Sequence, residues 1–180
     1  MALNMTHLHD ASKDSVREWM IRELDEDLDR GAVYRSKYQT AYGQQSWPYL
    51  LREALIAGTD DTLVHALEDP SFWLTEYEKR RPSGGTTFAR VPVTAAETLA
   101  QGEFSRYYLR AVCAVAQEQD REVVVVRLRE VARPRTGSEQ KIGIRLDPLV
   151  LLDDLRQNIG IDTLLGIPAG PNSGLGVEIA

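Results

Sequence analysis

Hydrophobic positions change period along this chain, and the changes mark its elements. Val16, Trp19, Met20, Leu24 and Leu28 recur at helical spacing. Ser15 and Glu18 stand at capping-box distance before them, and Gly31 offers a stop. Tyr34, Tyr38 and Tyr42 follow at four-residue intervals in a polar segment between two glycines, which reads as a short helix or an irregular turn. Ser46 is placed to cap a second helix, with Trp47 and Pro48 in its first turn, Leu50, Leu51, Ala54 and Leu55 buried, and Gly58 at its end. Thr59, Asp60 and Asp61 open a shorter helix with Leu63, Val64 and Leu67. Asp69 and Pro70 restart the chain into another, anchored by Phe72 and Trp73.

The segment RRPSGGTTFARVPV is dense in Pro, Gly, Ser and Arg, and it predicts a linker or exposed loop. Beyond it, Thr94 and Glu97 have capping-box spacing, and Leu99, Phe104, Tyr107, Tyr108, Ala111 and Val115 give the inward stripe of a long helix over 94–119. The run Val123 to Val126 has the β-branched continuity of a strand covered on both faces. Ile142, Ile144 and Leu146 alternate with Gly143 and Arg145, as in a half-buried strand. Asp147-Pro148 starts a helix with Leu149, Leu152, Leu155 and Ile159 on its core side, and Leu175 to Ile179 reads as a terminal edge strand. The fold class expected is α+β: a helical N-terminal section over residues 1–80, a linker or exposed loop over 81–93, and an α+β core over 94–180. In that core a small mixed sheet is packed by the long helix.

Composition sets limits on this picture. The chain has 180 residues, 43% of them hydrophobic and 27% charged, the balance of a globular protein with an ordinary core. Its formal net charge of −6 argues against a general nucleic-acid coat, which needs excess Lys and Arg. There is a single cysteine, so no intramolecular disulfide forms. Cys113 lies among Ala111, Val112, Ala114 and Val115, the setting of a small buried apolar residue. No run approaches the ~18 apolar residues of a membrane span. The opening residues lack the pattern of a secretion signal. The expected location is the cytoplasm, or a particle assembled there, with no membrane contact.

Two charge clusters are the candidate sites. Arg127, Arg129, Arg133, Arg135, Lys141 and Arg145 concentrate cationic charge near two strands, and arginine forks suit carboxylates and phosphates alike. The cluster reads as a solvated rim, as a docking surface for an acidic protein partner, or as a nucleic-acid contact. Glu23, Asp25, Glu26, Asp27 and Asp29 give the first helix an acidic outer face, which reads as a solvated face or as a site for a metal or basic partner. Glu139-Gln140-Lys141 has the acid-x-lysine form of metal-dependent nucleases, but it lies in a Gly/Ser loop instead of a hydrophobic strand. Zinc-ligand spacing, a nucleophile elbow, a Walker lysine and a dinucleotide fingerprint are all missing from the sequence. The sequence therefore assigns no catalytic residue, metal or cofactor.

Four segments, ALEDPSFW (66–73), GEFSRYYLRAVC (102–113), SEQKIG (138–143) and GPNSGL (170–175), resemble pieces of small structural or morphogenesis proteins from actinobacterial phage and prophage-like gene sets. The resemblance implies a role in particle assembly and carries no catalytic residues with it. The function expected is a non-enzymatic structural or adaptor subunit of a phage or phage-like particle. Its partners would be other protein subunits, further copies of itself among them, with the acidic and basic clusters meeting on neighbouring molecules. The alternative is a nucleic-acid-binding or nucleic-acid-processing accessory protein that uses the 127–145 region.

Overall fold

The structure, a computed structural model, describes residues 13–129, 136–160, 163, 165–167 and 174–180. Helix α1 spans Lys13–Asp29, α2 Ala41–Ala57 and α3 Asp60–Ala66. A 3₁₀ turn at Pro70–Phe72 leads into strands β1 (Glu76–Arg80) and β2 (Thr86–Arg90). Helix α4 (Ala95–Glu118) is followed by β3 (Val123–Arg127), the single turn α5 (Thr136–Glu139), β4 (Arg145–Leu146), α6 (Pro148–Gln157) and β5 (Leu175–Ile179). The chain is α+β, as its hydrophobic periods indicate.

The axis of the fold is α4. Nearly every residue from Leu99 to Ala116 is buried, because α1, α3, α6 and β5 pack around it. A helix covered on all sides shows no clean polar face, and the alanines and Cys113 let neighbours approach closely. Burial also pushes the Cys113 thiol well above its ordinary range. One hydrophobic cluster runs from Val16 on α1 to Val177 on β5, so residues on both sides of the expected 81–93 boundary share a core. The sheet has the order β4-β3-β5, and both neighbours of β3 run antiparallel to it. It is antiparallel throughout, not mixed: β4 and β5 run the same way but lie on opposite edges of β3.

Several local expectations are corrected. The half-buried strand over 142–146 shrinks to Arg145–Leu146. Gly143 takes a left-handed φ of 85° and turns the chain, although Ile144 still accepts from the Val125 N–H at 2.9 Å. The helix expected after Pro70 is only the 3₁₀ turn, because Trp73 is extended and bridges Gln39. The stretch expected as a linker holds the turn and second strand of a hairpin. Gly84 and Gly85 take left-handed φ, and the Arg81 N–H donates to the Gly85 carbonyl at 3.0 Å.

The hairpin is tied to the body through the start of α2. That helix begins five residues before Ser46, because the Thr40 hydroxyl accepts from the Gly43 N–H at 3.0 Å. The Thr40 N–H donates to the Phe72 carbonyl at 2.9 Å, the Leu74 N–H donates to the Tyr38 carbonyl at 2.8 Å, and Tyr42 stacks on Phe72. The three tyrosines therefore do not share one stripe: Tyr34 and Tyr38 precede the helix, and Tyr38 meets Tyr77 of β1 edge-on. Gly43 is required where α2 touches this segment, since a Cβ there would lie 2.3 Å from the Phe72 carbonyl oxygen. Gly43→Ala is expected to cost about 2 kcal/mol and lower Tm by about 4–8 °C. The control Gly137→Ala, whose Cβ would meet open space, should leave Tm in place. Thermal unfolding followed by circular dichroism checks both, and equal Tm values would refute the clamp.

Candidate functional site

The acidic set on α1 divides by direction. Glu23 and Asp27, one helical turn apart, share the inward side with Val16, Met20 and Leu24, and are 0% and 2% exposed. They face Arg110 of α4, itself 0% exposed. Its Nε donates to Glu23 Oε2 at 2.6 Å, its Nη1 donates to Asp27 Oδ2 at 2.5 Å, and its Nη2 donates to Asp27 Oδ1 at 3.2 Å. The Tyr107 hydroxyl donates to Asp27 Oδ2 at 2.9 Å. Arg156 of α6 reaches Glu23 from the third side, with Nε at 3.1 Å. Two of the five acidic residues are thus structural and offer nothing to a partner. Asp25 pairs with Arg52 of α2, Glu26 pairs with Arg30, and Asp29 is exposed.

The same seam continues along α4. Glu103 and Arg106, 4% and 7% exposed, approach at 3.4 Å, and Arg106 Nη1 donates to the Asn158 carbonyl at the end of α6 at 2.7 Å. Three carboxylates and three guanidiniums therefore balance in the joint between α1, α4 and α6. Burial would lower the Arg110 pKa, but the Asp27 hydrogen bond and the charges of Glu23 and Asp27 hold it above its ordinary value. Burial pushes the Tyr107 hydroxyl up, and Asp27 and Glu103 add to that, so it stays protonated as a donor. The Glu103 carboxyl is raised by burial, which outweighs Arg106 and Arg110. Its Oε2 has no hydrogen-bond partner among the described residues.

The described members of the basic set do not converge on a free surface either. Arg129 is largely buried: Nη2 donates to Asp60 Oδ2 at 2.5 Å, and Nη1 donates to the Gln101 side chain. Lys141 Nζ donates to the Leu165 carbonyl at 2.6 Å, so this lysine is engaged away from Glu139, which is exposed. Arg127 stands 3.8 Å from Glu139, and Arg145 pairs with Glu122 at 3.2 Å at the surface. Arg133 and Arg135 lie outside the described residues. Among the described residues no group of three or more His, Cys, Asp or Glu is arranged to hold a metal ion. No helix among them is long and apolar enough to cross a membrane.

The feature most available to a partner is the hairpin, whose first strand lies in the section expected to be helical and whose turn and second strand lie in the expected linker. In β1 and β2, Tyr77, Thr87 and Ala89 turn toward the body, with Lys37 over the Tyr38 and Tyr77 rings. The other face carries Glu76, Glu78, Arg80, Phe88 and Arg90, all exposed, and Phe88 is 72% exposed. Among the described residues none of the charged groups on this face enters an ion pair, nor does Arg81 at the tip. At the base of this face opens a groove of about 740 Å³. Its apolar lining includes Leu67, Trp73, Val91, Pro92, Val93 and Ala96, and Glu68, Glu76 and Arg90 add two carboxylates and a guanidinium. Val93 is fully exposed. The available signal was the alternation in TTFAR after a Gly-Gly turn, which five residues carry weakly.

Comparison with protein-family models, with curated proteins and with solved structures finds no match to this chain.

Two predictions come from the buried joint. Arg110→Met leaves buried Glu23 with Arg156 alone and buried Asp27 with the Tyr107 hydroxyl and Arg30 at 3.5 Å, and is expected to cost about 3–5 kcal/mol, a Tm fall of at least about 6 °C. Denaturant melts check it, and an unchanged midpoint would show that the joint carries no weight. Glu103→Gln acts in the other direction. A carboxyl whose folded pKa is raised destabilises the fold once ionised, a cost absent below about pH 4 and complete above the folded pKa. The variant should therefore be more stable than the parent at pH 7 and level with it near pH 4; a gain independent of pH would be the contrary result.

Proposed function

We propose that this chain is a non-enzymatic structural or adaptor subunit that works through protein–protein contacts made by the outer face of the β1–β2 hairpin and the groove at its base. The observation that carries the reading is Phe88. A large aromatic side chain stands 72% exposed on an arm whose opposite face is packed down, beside an apolar groove. Exposed aromatics next to concave apolar surface are what interface anchors are made of. The particle setting, a phage or phage-like assembly, draws on the resemblance of residues 66–73, 102–113, 138–143 and 170–175.

The route of contact differs from a meeting of acidic and basic clusters. Glu23, Asp27, Arg129 and Lys141 are held inside the fold, and Asp25, Glu26 and Arg145 have partners on their own chain. The same engagement takes support from phosphate contact by the 127–145 region.

A photo-reactive phenylalanine analogue placed at position 88, in cells making the chain at natural levels, should cross-link to protein. The same analogue at exposed position 49 is the control. A Phe88→Asp substitution should weaken the recovered complex about 10- to 30-fold while leaving Tm within about 2 °C. Cross-linking to nucleic acid in place of protein, or equally from both positions, would overturn the reading.

A further inference from the structure

We infer that the partner of this face is a second copy of the same chain, docked about a two-fold axis with the hairpins antiparallel. The inference rests on the reading above and names the occupant of that surface. Phe88 and the groove lie on one face of one hairpin. Glu76 and Arg90 border the groove, and strand alternation puts Glu78 and Phe88 on that same side, about 7 Å further toward the tip. A surface that presents a knob and a hole side by side meets the requirement of an isologous contact, in which each copy offers both to the other.

Charge fixes the direction. Arg80 and Arg81 stand at the tip, while the groove is bordered by the two carboxylates Glu68 and Glu76 against one cation, Arg90. Parallel stacking would set tip on tip and carboxylate on carboxylate. Antiparallel docking that seats Phe88 among Trp73, Leu74 and Val93 carries the arginines of one copy toward the carboxylates of the other, twice per dimer. The tip arginines have no ion pair among the described residues, whereas Arg30, Arg52, Arg110, Arg129, Arg145 and Arg156 all have one. Arg22, Arg35 and Arg90 also have no ion pair among the described residues, so what distinguishes the tip is two such cations side by side on an exposed turn.

The test uses the purified full chain and three variants in sedimentation velocity and multi-angle light scattering, from low to high micromolar. The parent should show a dimer that weakens with salt, and Phe88→Asp should raise its dissociation constant at least about tenfold. The decisive arm mixes two charge-reversed proteins. One carries Arg80→Glu with Arg81→Glu, and the other carries Glu68→Arg with Glu76→Arg. Each alone places like charges across the axis and should be mainly monomer; mixed, they restore both attractions and should form a one-to-one heterodimer. All these positions are exposed, and unchanged circular dichroism confirms that the variants fold. A parent that stays monomeric throughout, a Phe88→Asp protein that dimerises like the parent, or a mixture no more associated than its components overturns self-docking. The failure is separable from that of the broader reading: cross-linking from position 88 to a different protein would leave that reading standing while this one falls.

Discussion

The arrangement of the helices turns on one guanidinium. Arg110 sits in the middle of the central helix with no exposed surface, gripped by two carboxylates one turn apart on α1, and Glu23 passes the contact on to Arg156 of α6. Desolvating that many charges is unfavourable, and in proteins an apolar joint of the same volume is often as stable or more so. What the charges supply is register. Apolar stripes on α1, α4 and α6 would tolerate sliding or rotation by a turn, whereas Arg110 satisfies Glu23 and Asp27 together in only one alignment. Arg106 adds an axial stop by holding the last carbonyls of α6.

The same alignment determines what is left at the surface. With α1 fixed on α4 and the start of α2 clamped to residues 71–74, the chain leaves the body at Thr75 in a set direction. It returns at Val91 beside the beginning of α4. The hairpin is therefore a short projection with fixed points of exit and return. Tyr38, Tyr77 and Lys37 hold one of its faces down, so the other is presented without the entropy loss of ordering a free loop.

Most elements were legible because their signals are local. The capping aspartate and proline of α6, the β-branched run of β3 and the length of α4 all sit within one stretch of chain, and the structure places them within a residue or two. The start of α2 was misread because Ser46 mimics a cap, while the true cap, Thr40, is recognisable only once Phe72 is beside it. The charges were misread for a deeper reason. Glu23 and Asp27 occupy core positions of the α1 stripe, and Glu103, Arg106 and Arg110 recur at three- and four-residue spacing inside an apolar helix. Each looks solvated alone, and only their opposite signs on facing helices reveal the joint. Arg129 reaches Asp60, 69 positions away in sequence, and no window of local pattern contains both.

The lone thiol of Cys113 lies at the centre of α4 with no surface of its own. A thiol-directed reagent meets it only in molecules whose central helix has come away from its neighbours, so the speed of modification is a clock for opening of the whole core. The native exterior carries no competing sulfhydryl. A cysteine introduced anywhere on the outside would therefore take a fluorophore or spin label at a single place, without first removing a residue on which the interior packs.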